Sequence, residues 1–198
     1  MSEKGRPRGF DRTEALHQAM RLFWTQGYEA TSISALTAAM GIGAPSLYAA
    51  FGSKAALFRE AVALYQSECG IPAWAALADA PDAREGVAAL LLGTAESNTR
   101  PDRPTGCMVV LNTAFPGVLP PEAVTDLSAR QAEAEAVLAT RLERARAEGD
   151  IPSDTDVVAL TVFYMTVQQG LALRARAGAT TQDLRAAART AMAAWPSA

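Results

Sequence analysis

Residues 31–54 read TSISALTAAMGIGAPSLYAAFGSK and hold two short apolar-periodic segments on either side of Gly41-Ile42-Gly43. Ser32 is placed to cap the first segment, which carries Leu36, Ala39 and Met40 before Gly41 stops it. The second begins near Pro45, where a missing amide hydrogen costs nothing in a first helical turn. Leu47 and Phe51 lie four residues apart and point inward, leaving Ser46, Tyr48, Ala49 and Ala44 on the outward face. Small residues at Gly41 and Gly43 let the two short helices cross steeply. The form is that of a helix-turn-helix, whose second helix is built to lie in a DNA major groove.

The flanks fit that frame. Upstream, Asp11 with Glu14 three residues on makes a capping-box-like helix start. Ala15, Leu16, Ala19, Met20 and Phe23 then repeat at helical spacing. Gly27 ends that helix as a left-handed cap, and Tyr28 is placed to fold back over its last turn. Downstream, Ser53 caps a helix that runs through Leu57, Phe58, Ala61, Val62 and Tyr65. Lys54 in its first turn opposes the helix macrodipole, which makes sense once a phosphate arrives at the free amides there. Residues 1–9 carry Lys4, Arg6 and Arg8 with nothing apolar to bury. They read as a solvated tail or as a basic arm for a phosphate backbone or a minor groove.

Beyond Gly70-Ile71-Pro72 the pattern changes to longer, alanine-rich helices over about 83–98, 108–115, 122–148, 156–177 and 182–195. Pro and Gly clusters at 100–104, 116–121 and 149–152, and Gly178, punctuate them. The expected architecture is all-α, with residues 9–69 as a helix-turn-helix DNA-binding domain and 70–198 as a larger helical domain. The helix 156–177 is apolar almost all round and so is buried on more than one side. Its C-terminal half, with Leu184, Ala188, Met192 and Trp195, is the expected dimer face, doubled by symmetry into a four-helix bundle. Gln168 and Gln169 read as hydrogen bonders at that face. Trp74, Met108, Phe115, Phe163 and Met165, with polar Asn112, Thr161, Tyr164 or Gln168, are candidates to line an apolar ligand pocket.

Composition sets the bounds. The chain of 198 residues has a net charge of −3. Residues 1–60 hold seven Lys and Arg against five Asp and Glu, a balance of +2, leaving eleven against sixteen, or −5, for residues 61–198. A mildly basic head on an acidic body suits DNA contact at one end of the molecule. The polar N-terminus lacks a signal-peptide apolar region, and no apolar run reaches the ~18–20 residues of a membrane span. A cytoplasmic location is expected. The single histidine, His17, leaves no His-based zinc site or Ser-His-Asp triad, and no cofactor-binding loop is visible, so an enzyme is not expected. Cys69 and Cys107 are far apart in sequence. Cys107 follows Pro104-Thr105-Gly106 at a helix start, where amides can activate a thiol, and it reads either as apolar filler or as a redox or electrophile sensor.

Taken together, Thr31-Ser32-Ile33, Gly41-Ile42-Gly43, Ser46-Leu47-Tyr48, Phe51-Gly52-Ser53-Lys54 and Leu57-Phe58 resemble the TetR family of bacterial transcriptional regulators. The C-terminal part is similar to one branch of it through Gly106-Cys107, Gly149-Asp150-Ile151-Pro152, Gln169-Gly170-Leu171 and Ala175-Arg176-Ala177-Gly178. The resemblance implies a homodimer that binds a palindromic double-stranded operator, most often as a repressor released by a small, apolar effector, with residues 70–198 as the helical effector-binding and dimerisation domain. An activator, or a ligand-binding protein that merely retains the head, is the competing expectation. It also implies that Ser32, Ser46, Tyr48 and Lys54 touch the DNA, with Gly43, Ala44, Pro45, Ala49, Arg6 and Arg8 completing the candidate interface. Ala44, Ala49 and Ala50 stand where many members carry large side chains, which leaves the reading surface bare. Apolar contacts to thymine methyls and DNA shape are expected to share the task.

Overall fold

Asp11 sets where the first helix begins: its carboxylate accepts the backbone N–H groups of Thr13 (2.8 Å) and Glu14 (3.3 Å). Glu14 does not complete the expected capping box and instead accepts a bond from Gln18 at 2.6 Å. Helix α1 (Arg12–Gln26) follows, in a computed structural model that describes residues 10–69, 72–113 and 119–196. Gly27, at φ +79°, closes it by donating to the Phe23 carbonyl at 2.9 Å. The turn beyond lets the Tyr28 ring stack on Phe23 (6.1 Å between centroids) and meet Phe58 edge-on (5.1 Å).

Helix α2 (Ile33–Met40) starts where Ser32 Oγ accepts the Ala35 amide at 3.0 Å, and it ends at Gly41 in the left-handed region. Helix α3 (Ala44–Phe51) leaves at 90° to α2. Helix α4 (Lys54–Cys69) is capped by Ser53 Oγ, which accepts from the Ala56 amide at 3.0 Å. Arg12 ties α1 to α4 through Glu60 (2.7 Å), with its guanidinium 4.4 Å above the Phe51 ring. Phe23, Trp24, Leu36, Leu47, Leu57 and Phe58 form the core of this head.

The remainder comprises α5 (Pro72–Asp79), α6 (Ala83–Ser97), α7 (Met108–Thr113), α8 (Pro121–Glu148), α9 (Val157–Arg176) and α10 (Thr181–Ala191), with a last 3-10 turn at Met192–Ala194. Eight-residue α5, alanine-rich and opened by a proline, has no expectation in the sequence pattern. The last helix stops short of Trp195. Its start is firm, because Thr180 and Asp183 make a reciprocal capping box. Leu90, Leu91, Leu138, Leu142, Tyr164 and Leu184 belong to the core of this second bundle. The two cores do not part at residue 70, because Met108 of α7 and Ala123 and Leu127 of α8 lie in the core of the head.

Helix α9 corrects two expectations. With 20 residues and a mean hydropathy of 1.2, it is long and apolar enough to cross a bilayer by length and composition alone. It packs instead against α6, α7, α8 and α10, with Thr161 and Gln168 buried in its middle, so it is the central helix of the bundle. Leu184, Ala188 and Met192 do not form an outward face either. The apolar stripe of α10 faces α6 and α9, burying all three inside the chain. Among the described residues of the body, the large apolar side chains left exposed are Val158, Val162, Phe163 and Leu173, all on α9.

Head and body join at Trp24, whose indole Nε1 donates to the buried Gly106 carbonyl at 2.9 Å. Replacing Trp24 by Phe leaves that acceptor unsatisfied, and the expected loss is roughly 1–3 kcal/mol of unfolding free energy. Urea unfolding measures it directly, and an unchanged midpoint would show that the bond contributes nothing.

Candidate nucleic-acid interface and cavity

The outward face of α3 is built by what its inward face buries. Leu47 and Phe51 anchor the helix in the core, which turns Pro45, Ser46, Tyr48 and Ala49 to the surface, Tyr48 with 47% of its area exposed. Gly43 is the N-cap and carries no side chain to occupy the amides of the first turn. Those amides remain open to an anion. Ala44, in the same first turn, is half-buried. Ala50 is half-buried: it rests against the head core while its carbonyl accepts from Arg12 at 3.4 Å. The bare part of the reading surface is therefore Ala49, with half-buried Ala44 at its edge and Tyr48 as its one large side chain.

Ser32 is exposed at the start of α2. Just before it, Thr31 is fully buried and donates to the Gly27 carbonyl at 2.6 Å, which fixes the approach to the helix. Lys54 sits at the start of α4, with its ammonium 4.3 Å above the Tyr28 ring and 3.5 Å from the Glu29 carbonyl. Burial lowers its pKa, while Glu29 opposes the shift. The structure thus brings the loop entering α2 and the first turn of α4 together, with a held cation between them. Arg6 and Arg8 lie outside the described residues.

Between head and body lies a cavity of about 1520 Å³ walled by parts of α1, α4, α6, α8, α9 and the segment from Asn98 to Cys107. Of the pocket candidates picked from the sequence, Trp74, Met165 and Gln168 line it. Met108 is buried in the head core. Asn112 accepts from the Tyr28 amide at 3.3 Å and donates to the Met108 carbonyl at 2.8 Å, tying α7 to the head. Thr161 donates to the Val157 carbonyl at 2.7 Å. Tyr164 is fully buried in the body, its hydroxyl without a partner and its pKa pushed up to about 12 by burial. Phe163 is partly exposed beside it. Phe115 lies outside the described residues.

Cys107 and Cys69 both face the cavity. Tyr65 and Cys107 share the cavity wall, and burial first, then Cys107, drives the pKa of Tyr65 upward. The polar lining of Gln66, Asn98 and Arg103 has no counterpart among the candidates drawn from the sequence. The run Arg100-Pro101-Asp102-Arg103-Pro104 carries a signal for it, since two arginines in a break are more than a helix terminator needs. Among the described residues no group of three or more His, Cys, Asp or Glu is close enough to hold a metal ion.

Two further contacts fasten the head to this cavity. Arg176 at the end of α9 donates to the Trp24 and Thr25 carbonyls, the second at 3.0 Å, and burial lowers its pKa. At the cavity rim His17 meets Glu68 at 2.8 Å while its other ring nitrogen lies 2.9 Å from the Thr13 carbonyl. Both nitrogens are therefore placed as donors, and the bond to Glu68 is the main reason that the pKa of His17 is raised above 6.5. A raised value means that this pair stabilises the fold fully below the unfolded pKa and loses its effect as pH rises through the folded one. Since His17 is the only histidine, its NMR titration reads the pair directly. The expected midpoint lies above 6.5 and falls in Glu68→Gln. No change in that variant would remove Glu68 as the cause.

Comparison with known proteins gives consistent matches. A family profile described as "Bacterial regulatory proteins, tetR family" matches residues 15–61, and one described as "Tetracyclin repressor-like, C-terminal domain" matches 83–192. The HTH-type transcriptional repressor ComR of Escherichia coli (strain K12) is 35% identical over 194 residues, covering 98% of this chain and 92% of that protein. Among solved structures, a cysteine mutant of the TetR family transcriptional regulator CifR, complexed with 26-bp double-strand operator DNA, is 47% identical with a TM-score of 0.87. The match covers 97% of this chain and all of the other. A TetR-type transcriptional regulator from Rhodococcus sp. RHA1 is 40% identical with a TM-score of 0.61, over 95% of this chain and all of that one.

Proposed function

This chain belongs to the TetR family of bacterial regulatory proteins and is a DNA-binding transcriptional regulator, and from that premise we propose that it acts as a homodimeric repressor. The dimer binds a palindromic operator and is released when a small molecule occupies the cavity. The single observation that supports this most is the outward face of α3, held at 90° to α2 with open amides at its start and Tyr48 exposed. That is the shape of a recognition helix presented to a major groove. The repressor name of ComR and the operator complex of CifR point the same way. A cytoplasmic location goes with the role.

Dimerisation draws support from α9. Val158, Val162, Thr166 and Leu173 form an exposed stripe at helical spacing, and nothing lies within 4 Å of a side chain added at Gly170. Two copies of α9 can therefore approach closely about a two-fold axis, and two half-sites on the DNA would mirror that symmetry. The candidate contacts divide by role. Ser32, Lys54 and the open amides at Gly43, Ala44 and Ser46, on either side of Pro45, serve the phosphate backbone, with Arg6 and Arg8 reaching from the arm. Ser46, Tyr48 and Ala49 face the base edges.

Release follows from where Trp24 sits. It is part of the head core, it lines the cavity, and it bonds to Gly106 of the body. A ligand that shifts Trp24 shifts α1, and with it the frame that holds α2 and α3. A second input through Cys107, as a redox or electrophile sensor, rests on its position on the cavity wall against Tyr65. Alkylation of the thiols should then weaken operator binding, and unchanged affinity would remove the sensor role.

Selection from a random duplex library tests the main proposal: the full-length protein should enrich palindromic sites, and recovery of no sequence above background would overturn it. On the selected duplex, Lys54→Ala should weaken binding to cognate and random DNA alike and flatten the salt slope by about one unit. Tyr48→Ala should cost more on the cognate duplex. Equal losses would take Tyr48 out of the base-reading group.

A further inference from the structure

We infer that the cavity takes an organic anion: a flat apolar body carrying one carboxylate, sulfonate or phosphate head, seated against Arg103 and Asn98. This rests on the reading of the cavity as the effector site and names the chemistry that the site selects, in place of the apolar molecule expected from sequence.

Three aromatic side chains, Trp24, Tyr65 and Trp74, face the cavity and suit a flat apolar body. The polar lining then decides what else the molecule carries. Asn98 is only 5% exposed, yet its Nδ2 has no hydrogen-bond partner. The Nε of Arg103 is likewise buried and without a partner, although its Nη2 reaches Ser97 Oγ at 3.3 Å. Both orphans are donors, and a buried donor without an acceptor is costly enough that such groups are normally satisfied. One orphan acceptor, Gln66 Oε1, faces the same space and matches a hydroxyl or amide elsewhere on the ligand.

The charges around the cavity select the same head group. Of the acidic side chains there, Glu68 is paired with His17, Asp102 with Arg100 and Glu96 with Arg185. Among the described residues that leaves Glu133 as the carboxylate of the lining without an ion pair, against Arg21, Arg103 and Arg130. Three guanidiniums against one carboxylate in a partly desolvated cleft favour an anion. Arginine binds a carboxylate, sulfonate or phosphate through two N–H groups at once. Arg103 is one residue from Asp102, whose pKa is held at about 2 chiefly by its bond to Arg100, so that acid stays charged and committed to its partner.

A matched pair of probes tests this on the full-length protein. 8-Anilinonaphthalene-1-sulfonate and N-phenyl-1-naphthylamine share one ring system and differ in the sulfonate. Fluorescence titration should show the sulfonate binding at least tenfold tighter. Arg103→Gln should erase most of that preference while leaving the neutral probe unchanged, and Arg130→Gln should lower it several-fold. Equal affinity for the two probes, no binding of either, or a preference that survives in both variants would overturn the inference. Operator affinity of the same preparations reads the regulator assignment separately. A protein that holds its duplex but shows no preference for the anion loses this inference alone. One that prefers the anion but holds no duplex keeps the ligand chemistry and loses the effector role.

Discussion

The hydrogen bond from the Trp24 indole to the Gly106 carbonyl is the contact on which the rest of the molecule turns. Trp24 is 2% exposed, it packs edge-on against Tyr65 of α4 at 4.7 Å, and its own carbonyl accepts from Arg176 at the end of α9. One side chain thus belongs to the head core, to the cavity wall and to the junction with the body. Gly106 is required at that junction for two reasons. It adopts φ +82°, and a Cβ there would come within 3.0 Å of the Ala172 carbonyl. The close approach of the 98–107 segment to α9 is what puts the Gly106 carbonyl within reach of the indole.

A head fastened in this way is not a free-standing module. Met108, Ala123 and Leu127 complete its core from α7 and α8, and Asn112 holds the Tyr28 amide. Arg59 of α4 adds an ion pair to Asp126 of α8. The consequence for function is mechanical: moving α7 or the end of α9 changes the footing of α1 and α4. The recognition helix itself offers little chemistry beyond Tyr48 and open amides. In the proposed dimer, discrimination between DNA sites would then depend on how accurately the two heads are spaced, as well as on base contacts.

The head is legible in the sequence almost completely, because local rules suffice there. Ser32, Gly41, Pro45 and Ser53 mark helix ends by capping chemistry, and Leu36, Leu47, Phe51, Leu57 and Phe58 mark the buried faces by spacing. The body is legible only as helices. Leu184, Ala188 and Met192 form an apolar stripe that fits a dimer face or an internal neighbour equally well, and only the packing of α10 on α6 decides between them. The cavity is hidden for a similar reason. Asn98, Gln66 and Arg103 come from three separate elements, and nothing in the spacing of a helix end, a mid-helix glutamine and a proline-flanked arginine shows that they converge. Trp24 is the most telling omission: the periodicity of α1 picks out Phe23, and the second aromatic beside it looks redundant until Gly106 is in place.

If Trp24 joins cavity and head into one thermodynamic unit, the two binding events must oppose each other by the same factor. A ligand that shifts the equilibrium does so only through a difference in affinity between the two states. The most direct measurement is the affinity of the full-length protein for 8-anilinonaphthalene-1-sulfonate, taken with and without a saturating operator duplex. Coupling through Trp24 predicts at least tenfold weaker binding of the probe to the DNA-loaded protein. Equal affinity in the two states would contradict it.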